Sequence, residues 1–424
     1  MKILIINGSP KGQYSTTLHS CLFLEKKYPE HSFSYLNAGV KIKSLEKDFS
    51  PALEAISSAD LIVFSYPVYT FLAPSQLHRF IELMKESGVD FSSKIATQIT
   101  TSKHFYDITA HRFVTDNCAD IGIRTLEGVS ADMDDILTEK GRKQVCDWFE
   151  MTQWRISPAG VTAKDKSAFK AVIVADFGTD GQYKQLKAMV DSFVSIFPFE
   201  CDVIDIQDFP FQGGCISCFN CASTGNCFYK GGFYDYLRNV IHKHDAILYA
   251  FKIKDHSMGT RFKIYDDRQF CNGHRTVIMG MPVGYIINGN LDCEPNLRLT
   301  LKSRGEVGGN FVAGFGTDEK KLDELSRKLV FALDNKYAPP SNFYGVGGSK
   351  IFRDLIYQMR GLLRADHKFF KSHGQYDFPH KNKGKTAAMY LVGILFNNEK
   401  LKKKMGSRLD DGMTAPYKKV VDRK

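Results

Sequence analysis

The feature of this chain that most restricts its fold is a regular alternation of short apolar runs with helical stretches. The first apolar run, residues 2–6 (KILII), ends at a Gly-Ser-Pro turn, and a helical stretch from Ser15 to Lys27 follows. A buried strand that enters a helix through a tight turn is the opening of a parallel α/β domain. The pattern predicts a doubly wound sheet with helices on both faces. Its further strands are expected at residues 33–36, 61–65, 95–100 and 125–129.

The alternation restarts after a small, polar segment, residues 157–167, which we interpret as a linker. The strands of this second set are expected at residues 171–175, 202–206, 246–251, 276–279 and 310–313. Their spacing is similar to that of the first set, which predicts a tandem duplication of one fold. The expected domains are therefore residues 1–156, residues 168–336 and an extension, residues 337–424.

The extension is strongly basic. Residues 338–424 hold 18 Lys/Arg and 7 Asp/Glu, and this surplus of 11 exceeds the net charge of +10 of the whole chain. A Pro/Gly-rich connector is followed by helical periodicity, so the helices either pack on the two domains or contact a peripheral membrane or acidic partner. We expect no nucleic-acid partner, because no recognised binding motif accompanies the charge.

Composition and cysteine usage bear on the compartment. No stretch reaches the roughly 18 uncharged apolar residues that a spanning helix needs, and the N-terminal residues do not have the pattern of an export signal. The ten cysteines of so long a chain then favour a reducing, cytoplasmic compartment, where clustered cysteines bind metals or do redox work.

The segment Asn7–Thr17 (NGSPKGQYSTT) is the most informative motif. It lies between the first strand and the first helix, where backbone N–H groups and the positive end of the helix converge on an anion. The loop lacks the glycine patterns of nucleoside-triphosphate and dinucleotide sites, and its hydroxyls suit a phosphate that carries no metal. The alternative is that it only turns the chain and caps the helix. The candidate ligands are Ser9, Lys11, Ser15, Thr16 and Thr17.

Two further loops are expected beside this one. In a sheet ordered 2-1-3-4-5 the ligand crevice opens where strands 1 and 3 diverge. The loop after the third strand supplies an aromatic side chain and a proline to this crevice, although its tyrosines could instead be core residues. The loop after the fourth strand supplies polar groups. The candidate residues of these loops are Pro67, Val68, Tyr69, Thr70, Thr101 and Ser102.

Together these motifs resemble the flavodoxin-like NAD(P)H-dependent FMN reductases. The first loop is similar to the family's NGSPR-x-x-(G/S)-N-T, with Lys11 in place of Arg and Ser15 in place of Asn, and Pro67–Tyr69 matches its P-V-Y. The resemblance implies two flavodoxin-like sheets and a non-covalent FMN. It also implies that the first loop holds the FMN phosphate, that the P-V-Y loop lies against the ring, and that NADH or NADPH supplies hydride. No catalytic side chain is assigned, because the lone histidines His104, His256 and His274 are expected in surface or hydrogen-bonded roles.

A cluster of cysteines lies in the second half. Its spacing, C-x2-C-x2-C-x5-C, places three thiolates within seven residues and a fourth six residues later. It resembles iron-sulfur flavoproteins, in which four cysteines bind a [4Fe-4S] cluster beside FMN. A zinc site, free thiols and a disulfide stay open as alternatives. The candidate ligands are Cys215, Cys218, Cys221 and Cys227.

The second domain departs from the family in its cofactor loops. Asp176 and Asp180 stand where a phosphate would bind, and residues 251–256 have lost the P-V-Y pattern, so a second FMN is not expected. We hypothesise an internal pseudo-dimer in which domain 2 covers the FMN and brings the cysteine segment near it. The predicted function is an FMN-dependent NAD(P)H oxidoreductase that reduces a small-molecule or protein acceptor. The alternative is a non-enzymatic iron-sulfur flavoprotein that carries electrons or senses redox state.

Overall fold

The computed structural model describes residues 1–157, 165–179, 181–397 and 407–422, which form two compact units. Unit 1 consists of Met1–Pro158, Pro339–Phe343 and Phe378–Lys424. Unit 2 consists of Ala159–Ala338 and Tyr344–Asp377. The basic extension is thus shared between the two units. The predicted linker lies largely outside the described residues.

Unit 1 is built on one parallel sheet of order β2-β1-β3-β4-β5, in which β6 also pairs with β4. Its strands are β1 Lys2–Asn7, β2 Ser32–Leu36, β3 Leu61–Pro67, β4 Ile95–Ser102, β5 Arg124–Thr125 and β6 Val129–Asp132. Its helices are α1 Thr16–Lys27, α2 Ala38–Leu45, α3 Ser50–Ser58, α4 Ser75–Glu86, α5 Asp107–Asp120, α6 Glu139–Ile156, α15 Lys383–Asn397 and α16 Ser407–Asp422.

The alternation of side chains along β1 and β3 divides the core of unit 1 into two layers. Leu4 and Ile6 pack into a cluster with α4 residues such as Phe80. Ile3 and Ile5 point to the opposite face and pack against α1 and against Trp148 of α6. Because both faces of the sheet are covered, the strands read as continuous apolar runs in the sequence.

Unit 2 repeats the arrangement with the order β11-β10-β9-β7-β8, again parallel. Since β7 is its first strand, this is the same 2-1-3-4-5 order, and the predicted fold class is confirmed. Its strands are β7 Lys170–Ala175, β8 Glu200–Asp205, β9 Ala246–Lys252, β10 Pro282–Asn288 and β11 Phe311–Gly316. Its helices are α7 Lys184–Ile196, α8 Asn220–Thr224, α9 Phe233–Asn239, α10 Gly259–Arg268, α11 Pro295–Val307, α12 Glu319–Asn335, α13 Phe343–Gln358 and α14 Arg364–Ser372.

Two predicted strands differ from those observed. The prediction of a strand at residues 276–279 was wrong, because β10 begins only at Pro282. The strand predicted at residues 125–129 is split into β5 and β6. Gly128 lies between β5 and β6, and a Cβ there would be 2.5 Å from the carbonyl oxygen of Gln98 on β4. The split between the two strands therefore coincides with a close approach of the chain to β4.

Helix ends follow ordinary capping chemistry. Ser15 and Thr138 accept hydrogen bonds from the backbone N–H groups of Leu18 and Gly141. Proline occupies the first turn of α3 and α11, where its missing N–H costs nothing. None of the described helices is long and apolar enough to cross a membrane.

Candidate functional site

The loop between β1 and α1 is held in place by Asn7, which is fully buried. Its side-chain amide donates to the carbonyl of Gly12 and to Oδ1 of Asn37, both at 3.1 Å. The backbone N–H of Gly8 donates to the carbonyl of Ser65 on β3 at 2.9 Å. The loop is therefore tied both to the neighbouring strand and to the start of α2.

The start of α2 approaches this loop unusually closely. A Cβ at Gly39 would lie 2.2 Å from the carbonyl oxygen of Ser9, a distance that no side chain tolerates. The absence of a side chain at Gly39 thus permits the start of α2 to contact the backbone of Ser9. Asn7 and Gly39 were not predicted as functional residues, although a polar residue that ends an apolar strand is a usable signal.

The hydroxyls predicted to bind phosphate do not all face the same space. Ser9, Ser15 and Thr16 line a cavity of about 540 Å³ together with Lys11. Thr17 lies behind the cavity wall, where its hydroxyl is 2.6 Å from that of Thr101. The contact between Thr17 and Thr101 joins α1 to the end of β4, so Thr17 supports the site from behind.

The loop after β3 forms a strained two-residue turn. The backbone groups of Tyr69 and Leu72 exchange hydrogen bonds of 2.8 and 3.0 Å. Between them, Thr70 and Phe71 adopt φ values of 47° and 71°, which are costly for residues other than glycine. Such strain concentrates where a loop must present its backbone in one geometry. The cavity is lined by the predicted residues Pro67, Val68, Tyr69 and Thr70.

The loop after β4 supplies the third wall. The predicted residues Thr101 and Ser102 line the cavity, with Lys103 and Phe105 beside them. His104 turns away from the cavity and is buried, and its Nδ1–H donates to Oδ2 of Asp107 at 2.9 Å. The expectation of a hydrogen-bonded role for this histidine agrees with its position.

Helix α16, which no sequence signal indicated, completes the cavity of unit 1. The cavity is also lined by four residues of α16, which are Asp410, Met413, Thr414 and Tyr417. The carboxylate of Asp410 is 3.7 Å from Nζ of Lys11. The ring of Tyr417 is buried 5.9 Å from that of His19 on α1. The three loops and α16 therefore line one cavity.

The described residues of the loop after β7 in unit 2 do not repeat the set of hydroxyls found in unit 1. Asp176 follows β7 and is buried, and its Oδ1 accepts hydrogen bonds from Nε2 of Gln207 at 2.6 Å and from the N–H of Gly178 at 3.1 Å. Burial raises the pKa of Asp176, although these hydrogen bonds oppose the shift. A carboxylate therefore already uses donors that an anion would need. Asp180 lies outside the described residues.

The four candidate cysteine ligands lie in and around α8. Cys215 and Cys218 are exposed, whereas Cys221 and Cys227 are half-buried. Cys221 donates its S–H to the carbonyl of Phe270 at 3.0 Å, and burial raises the pKa of its thiol. In the described parts of the chain, no three His, Cys, Asp or Glu side chains are grouped closely enough to hold a metal ion. The arrangement does not fit the predicted cluster, and we derive no step through one.

Comparison with known proteins agrees with the fold observed for the first unit. Residues 1–109 match a family model described as the flavodoxin-like fold. This match and the strand order agree in giving the first unit the flavodoxin-like fold that the motifs predicted.

The chain is similar to two proteins described as iron-sulfur flavoproteins. The one from Archaeoglobus fulgidus is 25% identical over 173 residues, which cover 38% of this chain and 78% of that protein. The one from Clostridioides difficile strain 630 is 23% identical over 169 residues, or 35% of this chain and 75% of that protein. Among solved structures, an FMN-dependent NADH-azoreductase from Bacillus anthracis in complex with FMN matches at 15% identity. The match covers 36% of this chain and 99% of the azoreductase chain, with a TM-score of 0.28.

Proposed function

We propose that the protein is an FMN-dependent oxidoreductase that takes electrons from NADH or NADPH. The observation that carries the proposal is one cavity of unit 1 that is lined both by the hydroxyl-rich loop after β1 and by the proline and aromatic side chains of the loop after β3. Its volume of about 540 Å³ lies within the range of roughly 300–1,000 Å³ usual for cofactor sites. When bound, FMN supplies the chemistry of accepting hydride equivalents and passing electrons on.

The hydroxyl-rich loop between β1 and α1 fits a phosphate monoester. The first backbone N–H groups of α1 have no carbonyl partner within the helix and carry its positive end. Ser9, Ser15 and Thr16 add hydroxyl donors, and Lys11 adds a positive charge. These residues would hold the phosphate without a metal ion.

The loop after β3 fits a flat aromatic ring. The segment Pro67–Thr70, which leads into the turn Tyr69–Leu72, lines the cavity, and Tyr69 is 43% exposed. Thr101 and Ser102 offer hydroxyls from the neighbouring loop. The protein's part in the reaction is to bind, to orient and to limit the access of water, since no titratable side chain of the cavity is assigned to proton transfer.

The proposal is tested by an absorption spectrum of the full-length protein supplied with FMN, before and after anaerobic addition of NADPH. We expect bound flavin with absorption near ~450 nm that bleaches on reduction. The variants Ser9→Ala and Thr16→Val should each weaken FMN binding about tenfold, because each removes a hydrogen bond to a charged phosphate. Ser44→Ala, an exposed hydroxyl in the same unit, is the control. Flavin binding unchanged in both cavity variants would contradict the proposal.

A second candidate is the iron-sulfur electron carrier. The cysteine spacing and the names of the two relatives favour it, whereas the positions of the four cysteines, which do not form a metal site in the described chain, count against it. Flavin reduction by dithionite but not by NADH or NADPH, with about four iron atoms per chain, would support the carrier. Rapid reduction by NADPH without iron would support the reductase.

A further inference from the structure

Helix α15 (Lys383–Asn397) differs from the other elements in how much apolar surface it leaves uncovered. Met389 is 55% exposed, Tyr390 75%, Leu391 66% and Ile394 67%. Successive helical residues are rotated by about 100°, so Met389, Tyr390 and Leu391 point in three different directions. A surface helix in water normally keeps a polar face toward the solvent. Along residues 389–394, α15 offers apolar side chains on several sides.

Positive charge flanks this apolar stretch in the sequence. Lys383 and Lys385 precede it, and residues 400–404 (KLKKK) follow, with Glu399 as the one acidic residue between Lys383 and Lys404. Lysines beside an apolar helical segment attract anionic headgroups while the apolar side chains enter the boundary of the acyl chains. The same charges oppose a contact with a second copy, because both ends of the apolar stretch are basic and either helix orientation brings like charges together.

The length of α15 decides how it would meet a bilayer. Fifteen residues rise about 22 Å, which is less than the roughly 30 Å of the hydrocarbon core. None of the helices in the described ranges is suited to span a membrane. We propose that α15 docks on the surface of an anionic phospholipid membrane, lying in the interface with Tyr390, Leu391 and Ile394 inserted. This inference is independent of the flavin.

The experiment is sedimentation of the full-length protein with vesicles of phosphatidylcholine alone or with about 30% phosphatidylglycerol. We expect binding at least tenfold tighter to the anionic vesicles, and we expect it to weaken in high salt. Leu391→Glu combined with Ile394→Glu should reduce binding at least tenfold. Ile351→Glu is the matched control, since Ile351 on α13 is also 67% exposed but has the exposed charged residues Lys350 and Asp354 beside it.

The lysines are tested separately. Replacing Lys402, Lys403 and Lys404 by Gln should weaken binding to the anionic vesicles about fivefold per charge, with little effect on phosphatidylcholine vesicles. Flavin absorption and the thermal midpoint, measured on the same samples, show that each variant is folded.

Two results would overturn the proposal. One is an unmodified protein that stays in the supernatant with both kinds of vesicle. The other is a vesicle-independent dimer, seen by light scattering, that the double variant at Leu391 and Ile394 converts to a monomer. That outcome would assign the face to a contact between copies.

Discussion

The carboxylate of Asp107 is fully buried and accepts hydrogen bonds from three separate segments of unit 1. His104 Nδ1 donates at 2.9 Å, Ser130 Oγ at 2.7 Å and the backbone N–H of Phe343 at 3.0 Å. Burial tends to raise the pKa of Asp107, but the hydrogen bonds from His104 and Ser130 outweigh it and hold the pKa below the usual 3.8. The residue thus fixes the loop in which His104 and Tyr106 adopt positive φ.

We predict that Asp107→Asn lowers the free energy of unfolding by about 2–4 kcal/mol at pH 7, because buried donors lose a charged acceptor. A carboxylate whose folded pKa is depressed stabilises the protein above its unfolded pKa, and this contribution is lost as the pH falls through the folded pKa. The difference between the variant and the unmodified protein should therefore shrink below about pH 4. Urea unfolding from pH 7 to pH 3 measures it.

Asp116→Asn provides the control, because Asp116 lies on the same helix, α5, but is exposed. It should change the unfolding free energy by less than about 0.5 kcal/mol. If Asp107→Asn changed the unfolding free energy at pH 7 by as little as Asp116→Asn does, the three hydrogen bonds would not stabilise the folded state.

At the scale of single elements, α16 places a negative charge in the cavity that is unfavourable for binding a phosphate. Asp410 lines the cavity. Its carboxylate is 3.7 Å from Nζ of Lys11, which is one of the residues assigned to the phosphate. A bound phosphate would be repelled by this carboxylate and would compete with it for Lys11. The pair is partly exposed, so its strength is screened by solvent and salt.

We predict that Asp410→Asn tightens FMN binding about two- to fivefold at low salt, and that the gain fades in 0.5 M salt. Fluorescence titration with FMN measures the affinity. Asp411→Asn is the matched control, since Asp411 is the neighbouring residue and pairs with Lys418 instead. An unchanged affinity in Asp410→Asn at low salt would mean that this carboxylate does not act on the phosphate.

The elements also show which parts of the molecule the sequence could predict. The strands of both sheets and the three loops were readable because buried parallel strands are apolar and their loops carry local turn chemistry. The strand predicted at residues 276–279 failed because Val277–Met281 is apolar without being a strand, and the proline that follows is at the first position of β10. The contribution of α16 could not be read, since Tyr417 meets His19 across almost the whole chain length and no local pattern encodes such a contact.

For the whole molecule, the two units share a topology but differ in the site at the ends of their strands. The turn Tyr69–Leu72 has a counterpart at Lys254–Ser257, where Asp255 and His256 also adopt positive φ. The backbone turn of this loop therefore occurs in both units, whereas the hydroxyls proposed to bind phosphate belong to unit 1. The arrangement of the units as a pseudo-dimer stays a prediction.

This division predicts one FMN per chain. Unit 1 offers hydroxyls and the first turn of α1, whereas in unit 2 Asp176 already accepts from Gln207 and Gly178, and its burial and negative charge oppose a phosphate. We expect full-length protein saturated with FMN to release one flavin per chain on denaturation. Combining Ser9→Ala with Thr16→Val should remove binding as a whole rather than half of it. Two flavins per chain, or half occupancy retained in that double variant, would show that the second unit has kept a cofactor site in spite of Asp176.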